Sequence, residues 1–362
     1  MAVSSLPFTS RQQLVEDQAA HPPYGTWFTE PLESYVREES TSGMTGTPLR
    51  WLFTDMDVRR HGRLWRAPLE INGVTPSDRV MVGDGAWACW AALGDIGALA
   101  IPTPEDYSAQ VREIITQRVS VIVGTPSDAL RLGEAAAAMG VDLVENAVRI
   151  VVVTGEVGGH VPSTRRRIEE RFGARCVDVY ELIECGVVGW ECAAQDEGLH
   201  LNEDEFTVEV DEGELVLTAQ PLVRYRTGDI VERVAGRCDC GRSTMRARVL
   251  GRIGERLTVR GVECFPSTFE NIVRRHPAVM EYQLQAYQVH GECELAIDIE
   301  PDEAVATEGD RARVAAEVAE DVKRSLGLRL QCEAVPPRSL GRAEARPKRL
   351  VVHTSAASER GC

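Results

Sequence analysis

The sequence predicts an α/β protein, with a large N-terminal domain built on a mostly parallel sheet and a small, mobile α+β domain at the C-terminal end. Three observations predict it. Between about residues 80 and 185, short apolar runs alternate with helical patterns, the signature of a parallel layer. After about 190 the texture changes to polar–apolar alternation. From Gly251-Arg252 a last segment mixes strand and helix patterns.

The elements follow in order. Residues 1–40 are polar, with Pro22 and Pro23, and read as an irregular or helical lead-in. Arg79–Val82, Val119–Val123, Arg149–Val153 and Cys176–Tyr180 read as strands buried on both faces, because their apolar residues are nearly continuous. Pro104–Arg118, Ser127–Met139 and Ser163–Phe172 read as the helices between them. Phe206–Val210 and Glu214–Thr218, around Asp211-Glu212-Gly213, read as a β-hairpin. Ala306–Leu326 carries a long, charged helical pattern. The expected division is 1–250 for the large domain, 251–353 for the small one, and a disordered tail over 354–362.

Composition narrows the function. Of 362 residues, 43% are hydrophobic and 27% charged, an ordinary globular balance. The formal net charge of −16 argues against nucleic acid or an anionic membrane as the main partner, since both need a basic surface. Small anions stay open to it, because local cations and backbone N–H groups hold phosphates against an overall charge. No apolar run is long enough for a membrane span, and Met1–Ser10 lacks a secretory pattern. Ten scattered cysteines fit cytoplasmic thiols or a metal site better than a disulfide framework.

Residues 40–48 read Ser-Thr-Ser-Gly-Met-Thr-Gly-Thr-Pro. Hydroxyls and glycines this dense bring donors close to an anion. Alone, the segment reads equally well as a surface loop. Five further blocks follow it: Thr154-Gly155-Glu156, Asp178–Glu184, Pro221–Asp229, Gly251-Arg252 and Arg260–Ser267. Taken together and in this order, the blocks resemble the adenylate-forming superfamily, and Leu222–Asp229 with Arg260–Ser267 are similar to its phenylacetate–CoA ligase branch. The likeness covers about residues 38–350, with a shortened N-terminal region.

The resemblance implies an AMP-forming acid ligase that takes ATP, Mg²⁺, a carboxylic acid and CoA, with a homodimer as the expected assembly. It implies that Thr41, Ser42, Gly43, Thr45 and Gly46 wrap the phosphates, and that Gly155, Glu156 and Tyr180 hold the adenine. Glu184 would share Mg²⁺ with the phosphates. Asp229 would accept both ribose hydroxyls, and Arg252 would sit near the ribose or hinge. Trp87 and Trp90 would wall the acid pocket, where flat rings suit an aryl acid. The departures are Met44 for a hydroxyl residue, Glu181 for a glycine, Ile183 for a small hydroxyl residue and Gly254 for the acidic hinge residue.

Alignment of Arg342, Glu344 and Lys348-Arg349 puts Arg346 at the family's catalytic lysine. Arginine keeps the charge but spreads it over a planar fork. Lys348, about 7 Å further on the same face of an extended segment, would serve as backup. Cys192, His200, Cys238 and Cys240 make a four-ligand set for structural Zn²⁺, with Cys192 and His200 expected in a loop-like stretch and Cys185 as a spare. A non-CoA acceptor (an amine, nitrite or carrier-protein thiol) is the alternative, as in secondary-metabolite pathways. A degenerate nucleotide-binding protein is the third reading.

Overall fold

The computed structural model describes residues 5–41, 47–289, 292–305, 307–341 and 348–353, without the side chains of 195–197, 288, 289 and 292. It divides into two compact units. Unit 1 holds residues 1–160 and 165–250, and unit 2 holds 161–164 and 251–362.

Unit 1 opens with β1 (Thr9–Ser10) and α1 (Arg11–Ala20). Ser10 starts the helix with a capping box, its Oγ accepting from Gln13 N while Gln13 Oε1 accepts from Ser10 N. β2 (Tyr35–Ser40) and β3 (Arg50–Thr54) form an antiparallel hairpin, then Thr54 and Asp57 box the start of α2 (Asp55–Ile71). The lead-in expected to be irregular or helical thus contains a strand. Tyr35–Ser40 carries charged side chains because both faces are largely exposed, and its identity comes from pairing with β3.

The alternating region follows as β4 (Arg79–Val82), α3 (Cys89–Ile96), β5 (Leu99–Pro102), α4 (Tyr107–Gln117), β6 (Val121–Gly124), α5 (Pro126–Ala138), β7 (Ile150–Val153), α6 (Pro162–Phe172) and β8 (Arg175–Leu182). β4 to β8 pair in parallel with one another, and β8 then pairs antiparallel with the next strand. Alternate residues face opposite layers. Val80, Val82, Val121, Val123, Ile150 and Val152 pack with α2 and α3, and Met81, Ile122, Val151 and Val153 with α4 to α6. Burial on both faces is why these runs are continuously apolar. Asp106 and Thr125 cap α4 and α5.

β9 (Gly186–Cys192), β10 (Gln195–Leu201), β11 (Thr207–Asp211), β12 (Glu214–Ala219), β13 (Leu222–Arg233) and β14 (Arg246–Arg252) complete the sheet. Its strand order is β11-β12-β13-β14-β10-β9-β8-β7-β6-β4-β5, with β1 beside β13.

Unit 2 begins with the hairpin β15 (Leu257–Val259) and β16 (Val262–Cys264), turned by Arg260 and Gly261, both at positive φ. It continues with α7 (Pro266–Val273), β17 (Val279–Val289), β18 (Glu292–Pro301), α8 (Glu308–Leu326), β19 (Gln331–Ala334) and β20 (Leu350–His353). The sheet order is β19-β18-β17-β20. Tyr282, Leu284, Ile297 and Ile299 meet Val314, Val318 and Val322 of α8 in one core. Among the described residues no helix is long and apolar enough to cross a membrane.

Candidate functional site

The Ser/Thr/Gly-rich segment connects β2 to β3, whose last pair is Ser40 with Arg50. The base of the loop is tied. Thr41 N donates to Leu49 O at 2.9 Å, and Leu49 N donates to Thr41 Oγ1 at 2.9 Å. Arg11 Nη2 donates to Thr41 Oγ1 (3.1 Å) and to Thr47 O (2.7 Å). Ser42, Gly43, Met44, Thr45 and Gly46 lie outside the described residues. Arg11 brings a cation to this loop from the first turn of α1, and no motif in the sequence flags it.

Two carboxylates are each held by a phenol. The Tyr180 hydroxyl, on β8, donates to Asp229 Oδ2 at 2.6 Å. The Tyr225 hydroxyl, on β13, donates to Glu184 Oε1 at 2.9 Å. β8 and β13 are not sheet neighbours, so the sheet coils enough for their side chains to meet across it. Asp229 is buried, and its backbone N–H donates to Thr227 Oγ1. Burial, and then the charge of Glu184, push the Tyr225 hydroxyl far above its ordinary range, so it stays a donor.

Gly155 follows β7 at φ 84°, a left-handed conformation that suits glycine. Glu156 Oε1 accepts from Ser127 N (2.7 Å) in the first turn of α5, placing this carboxylate at a helix N-terminus. Nearby, His160 Nδ1 and Asp178 Oδ2 are 3.1 Å apart.

Trp87 joins an aromatic cluster. Its ring stacks on His61 (centroids 5.5 Å, 20°) and meets Phe53 edge-on at 5.2 Å. The Arg37 guanidinium lies 4.3 Å from the Trp87 ring centre. Burial, and then Arg60, lower the His61 imidazole to about 4, so it is neutral near pH 7. Trp90, on α3, is 39% exposed. Phe53 and His61 also line a cleft of about 60 Å³ with Tyr35, Asp57, Arg60 and Glu184. Glu181 Oε1 accepts from Trp65 Nε1 at 3.1 Å.

Cys192, His200, Cys238 and Cys240 converge, with their ligand atoms all within 4.8 Å of one another. Cys192 Sγ lies 3.3 Å from Cys238 Sγ, and Cys240 Sγ lies 3.5 Å from His200 Nε2. Cys192 ends β9 and His200 lies in β10, a hairpin rather than a loop-like stretch. His200 Nδ1 sits 3.1 Å from Thr244 Oγ1, leaving Nε2 aimed at the cysteines. Burial, and then Arg246 and Arg242, lower the imidazole pKa and favour the neutral form that a metal needs.

In unit 2, Arg252 ends β14 and precedes a 3₁₀ turn over Ile253–Glu255, which contains Gly254. Arg342 to Pro347, including Arg346, lie outside the described residues. Lys348 is exposed, and Gln283 Nε2 donates to its carbonyl at 2.9 Å. The next residue is anchored. Arg349 Nη1 pairs with Glu281, and its guanidinium lies 4.7 Å from the Tyr282 ring centre. Arg274 Nη2 donates to the same Glu281 oxygen at 3.0 Å. Burial alone would raise the Glu281 carboxyl, but Arg349 and Arg274 outweigh it and bring it down to about 2.

Comparison with known proteins follows this geometry. Residues 261–353 match the AMP-binding enzyme C-terminal domain family. Phenylacetate-coenzyme A ligase of Thermus thermophilus is 28% identical, aligned over 96% of this chain and 86% of its own length. The Escherichia coli phenylacetate-coenzyme A ligase is also 28% identical, over 93% and 83%. The crystal structure of 2-hydroxyisobutyryl-CoA ligase in its postadenylation state, in complex with 2-HIB-AMP, superimposes with a TM-score of 0.87 at 25% identity, covering 96% of this chain and 80% of that one. Residues 261–353 thus match the AMP-binding enzyme C-terminal domain family, and along nearly its whole length the chain is similar to phenylacetate-coenzyme A ligases and shares the fold of a CoA ligase.

Proposed function

We propose that this enzyme activates an aromatic or similar carboxylic acid with ATP and passes the acyl group to CoA. In the first half, a carboxylate oxygen of the acid attacks the α-phosphorus of ATP, and the bond to the β-phosphate oxygen breaks to release pyrophosphate. In the second, the CoA sulfur bonds to the acyl carbon, its proton leaves to solvent, and AMP departs. The observation that supports this reading most is the pair of phenol-held carboxylates, Asp229 with Tyr180 and Glu184 with Tyr225.

Asp229 takes both ribose hydroxyls, since an ionised carboxylate has lone pairs beyond the one Tyr180 uses. Tyr180, Gly155 and Glu156 border the adenine, with Gly155 allowing the ring near the backbone. Thr41, Ser42, Gly43, Thr45 and Gly46 wrap the phosphates, and Arg11 adds N–H donors and a charge to a loop that lacks a hydroxyl at Met44. Glu184 fits Mg²⁺, because it lines the cleft and offers hard oxygen. When bound, that ion supplies positive charge to the phosphates. Arg252 lies near the ribose or hinge. Trp87 and Trp90 border the acid. Lys348 and Arg346, in the small domain from residue 251, stabilise charge at the α-phosphate. At least one of Arg346→Ala and Lys348→Ala should lower adenylation about 10²–10³-fold.

The Cys192, His200, Cys238 and Cys240 set fits Zn²⁺. Sulfur bonds of about 2.3 Å in a tetrahedron put ligands about 3.8 Å apart, close to the observed separations. The metal would tie the β9–β10 hairpin to the Cys238–Cys240 turn. Elemental analysis should find about one zinc per chain, and a chelator should lower the melting temperature. A cytoplasmic setting agrees with nine free cysteines among the described residues. A homodimer is the proposed assembly.

The test is acid-dependent ATP–pyrophosphate exchange over a panel of aryl acids, followed by assay for CoA thioester. Exchange without any thioester would select the alternative acceptor (an amine, nitrite or carrier thiol), which Gly254 at the family's acidic hinge position favours. Absence of exchange with every acid would overturn adenylation itself.

A further inference from the structure

We propose that Glu181 determines acid specificity and selects carboxylic acids that carry an amino group. The inference deepens the acid-activation reading above and rests on it. Four observations lead there.

The first is position. In parallel sheets, ligands bind beyond the carboxyl ends of the strands. Trp87 follows β4, Glu156 follows β7, and Glu181 is the penultimate residue of β8, so all three lie at that edge. The second is direction. Along β8, side chains alternate between faces. Tyr180 turns toward Asp229. Val177 and Val179 turn toward α2 and α3, where they join a core with Trp65, Ala88 and Cys89. The strand's register shifts between Tyr180 and Glu181, and the Trp65 indole of α2 fixes the Glu181 carboxylate on that same side.

The third is the setting of the carboxylate. Trp65 is fully buried and donates its indole N–H to Glu181 Oε1 at 3.1 Å. The buried Cys89 thiol is pushed up by burial first and by the charge of Glu181 second, which places this carboxylate beside the start of α3. A carboxylate on an apolar wall gives up hydration and gains most from an N–H donor brought by a ligand. Glu181 also stands where the resembling motif has glycine, so this edge of the sheet carries a carboxylate that the motif usually lacks.

The fourth is the surrounding π surface. His61 lies one helical turn before Trp65 on α2, stacks on Trp87 and meets Phe53 edge-on. This wall already accepts one cation, the Arg37 guanidinium over Trp87. A carboxylate and aromatic faces together favour an N–H-bearing or cationic substituent over a bare ring.

The experiment uses the full chain and ATP–pyrophosphate exchange. The probes are benzoate against 2-, 3- and 4-aminobenzoate, and butyrate against 4-aminobutyrate. At least one amino acid should exceed its amine-free partner by roughly 10–100-fold in kcat/KM, the range for a hydrogen bond to a charged group. Glu181→Gln should collapse that ratio severalfold while activity toward the amine-free partner holds or rises. Glu181→Gly should favour the amine-free acids further. Equal use of both members of every pair by the unmodified protein would overturn the inference without any variant, and leave acid activation standing. So would a Glu181→Gln loss that is equal for both members, which would mark a structural role. Absence of exchange with every acid would overturn the activation reading and this inference with it.

Discussion

Two regions of the molecule hold carboxylates in opposite ways. In unit 1, Asp229 and Glu184 each accept a hydrogen bond from a neutral phenol, Tyr180 and Tyr225 respectively. In unit 2, Glu281 is gripped by two guanidiniums, Arg274 and Arg349. A phenol orients a carboxylate and leaves its negative charge intact. A guanidinium orients it and cancels the charge. The first arrangement suits an anion that must still act on a ligand or metal. The second suits one whose task ends inside the protein. Under the proposed function, donor choice separates a working carboxylate from a structural one.

Substitutions can break or sharpen this contrast. Arg349→Met should have the largest effect on stability, destabilising unit 2 by about 1.5–3 kcal/mol, because Glu281 loses one of its two guanidinium donors and keeps Arg274. Denaturation followed by amide exchange over β17 and β18 would measure it, and a loss under about 1 kcal/mol would contradict the structural role. Asp229→Ala should lower kcat/KM for ATP roughly 10³-fold, from two lost hydrogen bonds to a charged group, with little change in melting temperature. A large melting shift with modest kinetic loss would place Asp229 in the structural class instead.

A pH titration separates the classes further. Glu281 has a folded value of about 2 against an ordinary 4.5. Its contribution is therefore full above about pH 4.5 and is lost as pH falls toward 2. Amide exchange in unit 2 should quicken over that window, and less so in Arg349→Met. The smallest effect should come from Tyr180→Phe, about tenfold in kcat/KM for ATP, since Asp229 keeps its charge and loses one orienting bond.

The fold was legible where burial is symmetric. β4, β6 and β7 are covered on both faces, so continuous valine and isoleucine announced them. β2 was not legible, because Tyr35–Ser40 is largely exposed and is a strand only through its pairing with β3. For the site, the ordered blocks pointed to Asp229 and Glu184, and the cysteine and histidine spacing pointed to the four-ligand set. Their partners were hidden. Arg11 meets Thr41, and Tyr225 meets Glu184, across long stretches of chain that no local pattern records. Glu181 is a bare departure in the sequence, because its donor Trp65 lies 116 residues earlier in the chain.

The strand that follows Lys348 has a kinetic consequence. β20 is four residues long, lies at the sheet edge and joins β17 through the distant, parallel register Leu284 to Leu350. Distant parallel contacts form late in folding, because the intervening loop must close first. Short edge strands also open early, at a free energy below that of global unfolding. Ordering of the segment that carries Lys348 is therefore expected to be among the last steps of assembly and among the first to be lost on warming. Heating should extinguish turnover while β4 to β8 still resist exchange.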